Sequence, residues 1–179
     1  MATRRIQEGY VVVPAMDTAN TKGCGQRSTA PATRGCGECT ACCSGVLRLQ
    51  VGEQIIDRGR PCRFRRVDGC GIYDARPKDC QAFQCGWLAI GSPLPEVMRP
   101  DRCGAILLIN RLQWRGCPVD MAVATDIRIP RQTLAWFIEH SLRSRRPLVY
   151  QMDDEWECIG PREFGEHIRS ELARGKQLW

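Results

Sequence analysis

Apolar residues come in short runs, and the runs change period along the chain. Ala105-Ile-Leu-Leu-Ile109 is continuous and reads as a short buried strand; 119–124 reads as a second. Beyond Pro130, which can open a helix at its first position, Leu134, Phe137, Ile138 and Leu142 recur at helical spacing. Residues 148–152 and 156–159 alternate as paired strands do, with Asp153-Asp154-Glu155 as the turn between them. Pro161 opens a last helix with Phe164, Ile168 and Leu172 on one face, and Gly175 behind it caps the end. These elements predict a compact α+β part over 104–179.

The first hundred residues look different. Thr, Gly, Ser, Pro and Ala dominate 18–35 without periodicity, so 1–35 is expected to form an extended arm. Residues 36–103, preceded by Gly35, are broken by Gly37, Gly45, Gly59, Pro61, Gly69, Gly71 and Pro77. Such a segment buries little apolar surface by itself and needs a staple. The expected architecture is therefore α+β, with a small irregular segment over 36–103 packed on the strand and helix remainder.

No apolar run approaches the roughly 18–20 residues of a membrane span. Val11-Val12-Val13 behind Arg4 and Arg5 is too short for a secretory signal, so a cytoplasmic chain is expected. The formal net charge of +6 is spread along the chain, where a nucleic-acid binder concentrates it. Aromatics are only 7% and do not alternate with basic residues, which disfavours a nucleic-acid partner.

The chain has 12 cysteines, and the window 36–85 holds Cys36, Cys39, Cys42, Cys43, Cys62, Cys70, Cys80 and Cys85. Without an export signal, clustered spacing favours metal ligation over disulfides. In the run Cys36-x-x-Cys39-x-x-Cys42-Cys43, a helix would place all four thiols within about 120° of one another. On a loop, the same spacing lets pairs of thiolates chelate one ion. Cys42 and Cys43 can both be ligands only if the backbone turns sharply or they serve different centres. Turn-forming or polar neighbours of the later four offer backbone N–H groups to sulfur, which tunes a thiolate site. Arg58, Arg60, Arg63, Arg65 and Arg66 stand beside Cys62 either as counter-charge or as a solvated basic loop. Eight thiolates suit two tetrahedral ions, or one iron–sulfur cluster with ligands to spare.

The string Cys36-Gly-Glu-Cys39-Thr-Ala-Cys42-Cys43, then Pro61-Cys62, then Cys70-Gly-Ile72-Tyr73-Asp74-Ala-Arg76-Pro77-Lys-Asp-Cys80-Gln-Ala-Phe83-Gln-Cys85 resembles the YkgJ-like family of zinc- or iron-chelating proteins. The resemblance spans 36–85 and includes the Tyr-x-x-Arg-Pro element; the stretch from Leu94 to Arg102 is also similar to some relatives. It implies metal chelation by the eight cysteines in a cytoplasmic bacterial protein, with the metal ion as partner. It implies no particular reaction.

Zinc is the expected cofactor, with iron or an iron–sulfur cluster as the alternative, since four-thiolate sets accept both. A ferredoxin run is excluded locally: its fourth cysteine and proline are replaced by Val46 and Leu47. A zinc-stabilised adaptor for nucleic acid or protein is a further alternative. Nucleophilic catalysis would need a base near a thiol. Only His140 and His167 are available, and both read as ordinary helix residues. Asp74 and Arg76 are expected to form a local ion pair or cap that orders the loop before Cys80, rather than to catalyse anything. Cys103, Cys117 and Cys158 are expected in the core; Cys24, in the arm, is an auxiliary-ligand candidate.

Overall fold

The computed structural model describes residues 34–152 and 155–178. The expected arm, with Cys24, lies outside these residues except for Arg34 and Gly35, as do Asp153, Asp154 and Trp179.

The architecture is α+β. Strands β5 (Ala105–Trp114) and β6 (Cys117–Ala124) form an antiparallel hairpin, in register from Ala105↔Ala124 to Trp114↔Cys117. Helix α3 (Arg131–Ser144) then carries the chain to β7 (Leu148–Met152), which pairs parallel with β6. A parallel pair needs such a crossover, because a tight turn only reverses direction. Strand β8 (Glu155–Ile159) returns antiparallel to β7, and helix α4 (Arg162–Ala173) follows. The sheet order is β5-β6-β7-β8. Pro130 and Pro161 sit one residue ahead of their helices, in extended conformation, rather than at the first helical position.

Ala105, Ile106, Leu107 and Leu108 are all buried, and so is every residue from Val119 to Ala124. Neighbouring strand residues face opposite sides, so consecutive burial means both faces of the sheet are covered here. Phe137, Phe164 and Ile168 of the helices belong to that core. Leu47, Trp87, Leu94 and Met98 of the preceding segment belong to it as well. Leu142, expected on the inner face of α3, is instead 40% exposed, while Phe137 is buried. The apolar stripe of α3 is narrower than its spacing suggests.

The segment before the sheet is less irregular than expected. It holds two small antiparallel hairpins, β1 (Leu49–Val51) with β2 (Gln54–Ile56) and β3 (Arg65–Arg66) with β4 (Gly69–Cys70). Two short helices follow, α1 (Lys78–Ala82) and α2 (Pro100–Cys103). Its own apolar centre is Val51, Ile56 and Cys62, with Cys43, Leu49, Phe64 and Cys80 packed on it. Among the described residues no helix is long and apolar enough to cross a membrane.

Candidate metal centre

The leading cysteines lie on neither a long helix nor an open loop. Cys36 and Cys39 close a turn, with the Cys39 N–H donating to the Cys36 carbonyl at 2.9 Å. Cys42 and Cys43 begin a single 3₁₀ turn, Cys42–Ser44, ended by Gly45. The Cys62 N–H donates to the Cys43 carbonyl at 2.9 Å. Cys70 lies on β4 opposite Arg65, and Cys80 lies in α1. Cys85 is placed by its neighbour Gly86, whose N–H donates to the Leu107 carbonyl in β5. A Cβ on Gly86 would stand 3.0 Å from that oxygen, so the close approach favours glycine.

All eight cysteines of the 36–85 window line one cavity of about 80 Å³. That is room for several water-sized bodies. The remaining wall is largely apolar and includes Val51, Ile56, Phe64, Phe83, Trp87 and Leu88. Cys103, Cys117 and Cys158 lie elsewhere. The Cys103 thiol is buried and donates to the Met98 and Ala105 carbonyls, while Cys117 and Cys158 are only half-buried.

Within the cavity, Cys42 is hydrogen-bonded to Cys85 and neighbours Cys39 and Cys43. Cys43 neighbours Cys62, Cys70, Cys80 and Cys36. Apolar packing divides the thiols: Cys39, Cys42 and Cys85 join the main core, and Cys43, Cys62 and Cys80 join the smaller cluster. Among the described residues no three His, Cys, Asp or Glu side chains converge closely enough in this conformation to hold one metal ion.

Electrostatics favour the protonated form of most of these thiols. Burial pushes Cys36, Cys39 and Cys80 up from the ordinary thiol value. Cys43 is pushed up to about 12, first by burial and then by Cys62. The hydrogen bond between Cys42 and Cys85 acts in opposite directions on its partners, holding the Cys42 proton and easing that of Cys85. Eight thiolates cannot coexist in an apolar space without compensating positive charge. The donor set therefore suits a soft cation.

Several residues around the thiols were not singled out as ligands by the sequence. The Tyr73 hydroxyl accepts the Cys36 N–H at 3.2 Å and hydrogen-bonds its thiol. Arg76 stacks on the Tyr73 ring at 3.8 Å and donates to the Tyr73 carbonyl at 2.8 Å. The ion pair between Asp74 and Arg76 does not form, because Arg76 turns to the ring; the capping alternative is what is seen, since Arg76 ends the 3₁₀ turn Tyr73–Ala75 and bonds its first carbonyl. From there its charge acts on Cys36 and Cys80. Arg99 likewise acts with Cys39. Of the loop arginines, Arg63 lies over Phe64 at 4.7 Å, Arg65 bonds the Thr40 hydroxyl and Arg60 pairs with Asp57 at 3.8 Å.

Asp101 hydrogen-bonds Cys39 and is itself clamped by Arg99 at 2.6 Å. Backbone N–H groups also reach sulfur: those of Ala41 and Asp101 at Cys39, and those of Trp87 and Leu88 at Cys85. Trp87 is a cavity wall whose indole N–H is buried without a hydrogen-bond partner among the described residues. The signal for Asp101 was the Arg99-Pro100-Asp101 string; nothing local marked Trp87.

Neither histidine reaches the cavity. His140 stacks on Trp136 at 5.1 Å, and burial pushes it below its ordinary value. His167 lies on α4. No family model matches the chain, and no curated protein or solved structure matches it significantly.

Proposed function

We propose that this protein binds zinc, with iron as the alternative ion, through the thiols of Cys36, Cys39, Cys42, Cys43, Cys62, Cys70, Cys80 and Cys85. One observation carries the reading. These eight side chains come from a turn, a 3₁₀ turn, a strand, a helix and loops, yet all face one cavity, while Cys103, Cys117 and Cys158 do not. The resemblance to the YkgJ-like family points the same way. Neither histidine stands at the thiols, and eight sulfurs around one cavity suit ligation.

Bound metal would supply the positive charge that lets buried thiols ionise, and would cross-link the turns, strand, helix and loops that carry them. An all-thiolate set with no open position is the pattern of a structural site. Zinc binding in small modules contributes about 10–16 kcal/mol, enough to hold a segment with so small an apolar centre. The N–H groups aimed at Cys39 and Cys85 favour one second reading, an iron–sulfur cluster, since hydrogen bonds to sulfur tune such clusters.

Elemental analysis and a visible spectrum of anaerobically purified full-length chain test both. Zinc in a colourless protein supports the first reading; iron with absorbance and a brown colour supports the second. A metal-free chain that keeps its fold, or the eight thiols paired as disulfides, overturns both.

A further inference from the structure

We propose that the eight thiols form two separate four-sulfur centres: an inner one of Cys36, Cys39, Cys42 and Cys85, and an outer one of Cys43, Cys62, Cys70 and Cys80. The inference rests on the metal-binding reading and deepens it.

The vicinal pair is the key. Cys42 and Cys43 are successive residues of a 3₁₀ turn. At three residues per turn their side chains leave the axis about 120° apart. They leave the turn on different faces, one against the main core and the other against Val51, Ile56 and Cys62. One backbone turn thus serves two centres, and Cys42 and Cys43 need not crowd a single ion.

Backbone ties hold each set together. For the outer set, the Cys62 N–H bonds the Cys43 carbonyl at 2.9 Å, and the Arg65 N–H bonds the Cys62 carbonyl at 3.0 Å. Arg65 in turn pairs with Cys70 across the β3–β4 ladder. For the inner set, the Cys36–Cys39 turn supplies two sulfurs, and Gly86 pins Cys85 to β5. Four sulfurs complete a tetrahedral ion at each place with none left over.

The centres then have different mechanical duties. The outer one staples the β3–β4 hairpin and α1 to the 3₁₀ turn and the loop of Cys62. The inner one fastens that lobe to the four-stranded sheet.

The test uses the full-length chain, reduced and reconstituted anaerobically with zinc alone, and counted by native mass spectrometry. Two ions per chain are expected. In Cys62→Ser or Cys70→Ser, one ion should pass to a chromogenic chelator at least about tenfold more readily, and the other should be held as before. Cys39→Ser or Cys85→Ser should loosen the complementary ion. In the double variant Cys62→Ser/Cys85→Ser both should be loosened. Circular dichroism of each variant checks that the β5–β8 sheet is intact. A single ion or cluster per chain, or any one substitution loosening all the metal while the sheet persists, overturns the two-centre arrangement and leaves the metal-binding reading standing. A chain that takes up no zinc overturns both.

Discussion

At the scale of single residues, the candidate centre depends on positions where a side chain, or its absence, brings separate pieces of chain together. Gly69 has φ +132°, and a Cβ placed on it would stand 2.7 Å from the Gly37 carbonyl oxygen. That contact seats the β3–β4 hairpin, and Cys70 with it, on the turn that carries Cys36 and Cys39. Alanine there would suffer both backbone strain and a clash with an atom that cannot swing away. A non-glycine residue in such a region costs about 1–3 kcal/mol. Gly69→Ala should lower the urea midpoint of the zinc-loaded chain and weaken its hold on zinc. An unchanged midpoint with unchanged zinc retention would show that the hairpin can shift without consequence. Arg76 makes a related point. Its planar group stacks on Tyr73 and also presents charge to Cys36 and Cys80, a pairing of roles that lysine lacks.

At the scale of elements, the parallel pair β6–β7 and the end of its crossover helix are joined by a buried charge. Asp120 of β6 is 2% exposed, and its carboxylate is paired with Arg146, just beyond α3. Burial outweighs that partner and lifts the Asp120 carboxyl from 3.8 to about 6. The folded state therefore holds this proton more tightly than the unfolded chain. Its contribution to stability is full below pH about 4 and is lost as pH rises towards 6, at most about 3 kcal/mol. His140, pushed down chiefly by burial, works in the opposite sense. Comparison with Asp120→Asn separates the two. Between pH 4 and 6 the parent should lose denaturant stability relative to the variant; parallel curves would mean that Asp120 titrates normally.

The same scale shows why some elements were legible and others were not. α4 and β8 follow their hydrophobic periods closely, because each buries one stripe, whereas β7 buries both Leu148 and Val149 and so is covered on both faces. β5 runs five residues further than its apolar run. Asn110, at φ +57°, lies where the register shifts between Leu108 and Leu112 and breaks the alternation that a sequence reading follows. The β1–β2 hairpin left a trace in Leu49, Val51 and Ile56, but strands of three residues hardly register as periodic. The cysteine spacing singled out all eight cavity thiols, since that set is written in the motif. Their division into two groups was not readable. It depends on which hairpin meets which turn, and on the 3₁₀ turn that sends Cys42 and Cys43 apart.

At the scale of the whole molecule, one apolar core joins a regular sheet to a segment with few buried residues of its own, and Trp87 sits at the junction. It is 4% exposed, walls the thiol cavity, and lies beneath the Arg34 guanidinium at 4.8 Å. Trp114 and Trp136 belong to the other side of the junction, against Phe164 and Phe137. If metal holds the cysteine segment in place, its removal should release that segment first and leave the sheet folded. Chelator should then shift tryptophan emission to the red, and Trp87→Phe should abolish most of the shift. Hydrogen exchange followed in parallel should quicken across 36–103, while the amides of β5–β8 stay protected. A full shift surviving in Trp87→Phe, or sheet amides opening together with the segment, would mean that the metal sites and the sheet form one cooperative unit. An unchanged spectrum after complete metal removal would mean that the apolar contacts of Leu47, Trp87, Leu94 and Met98 already hold the segment, and that the thiols are not its staple.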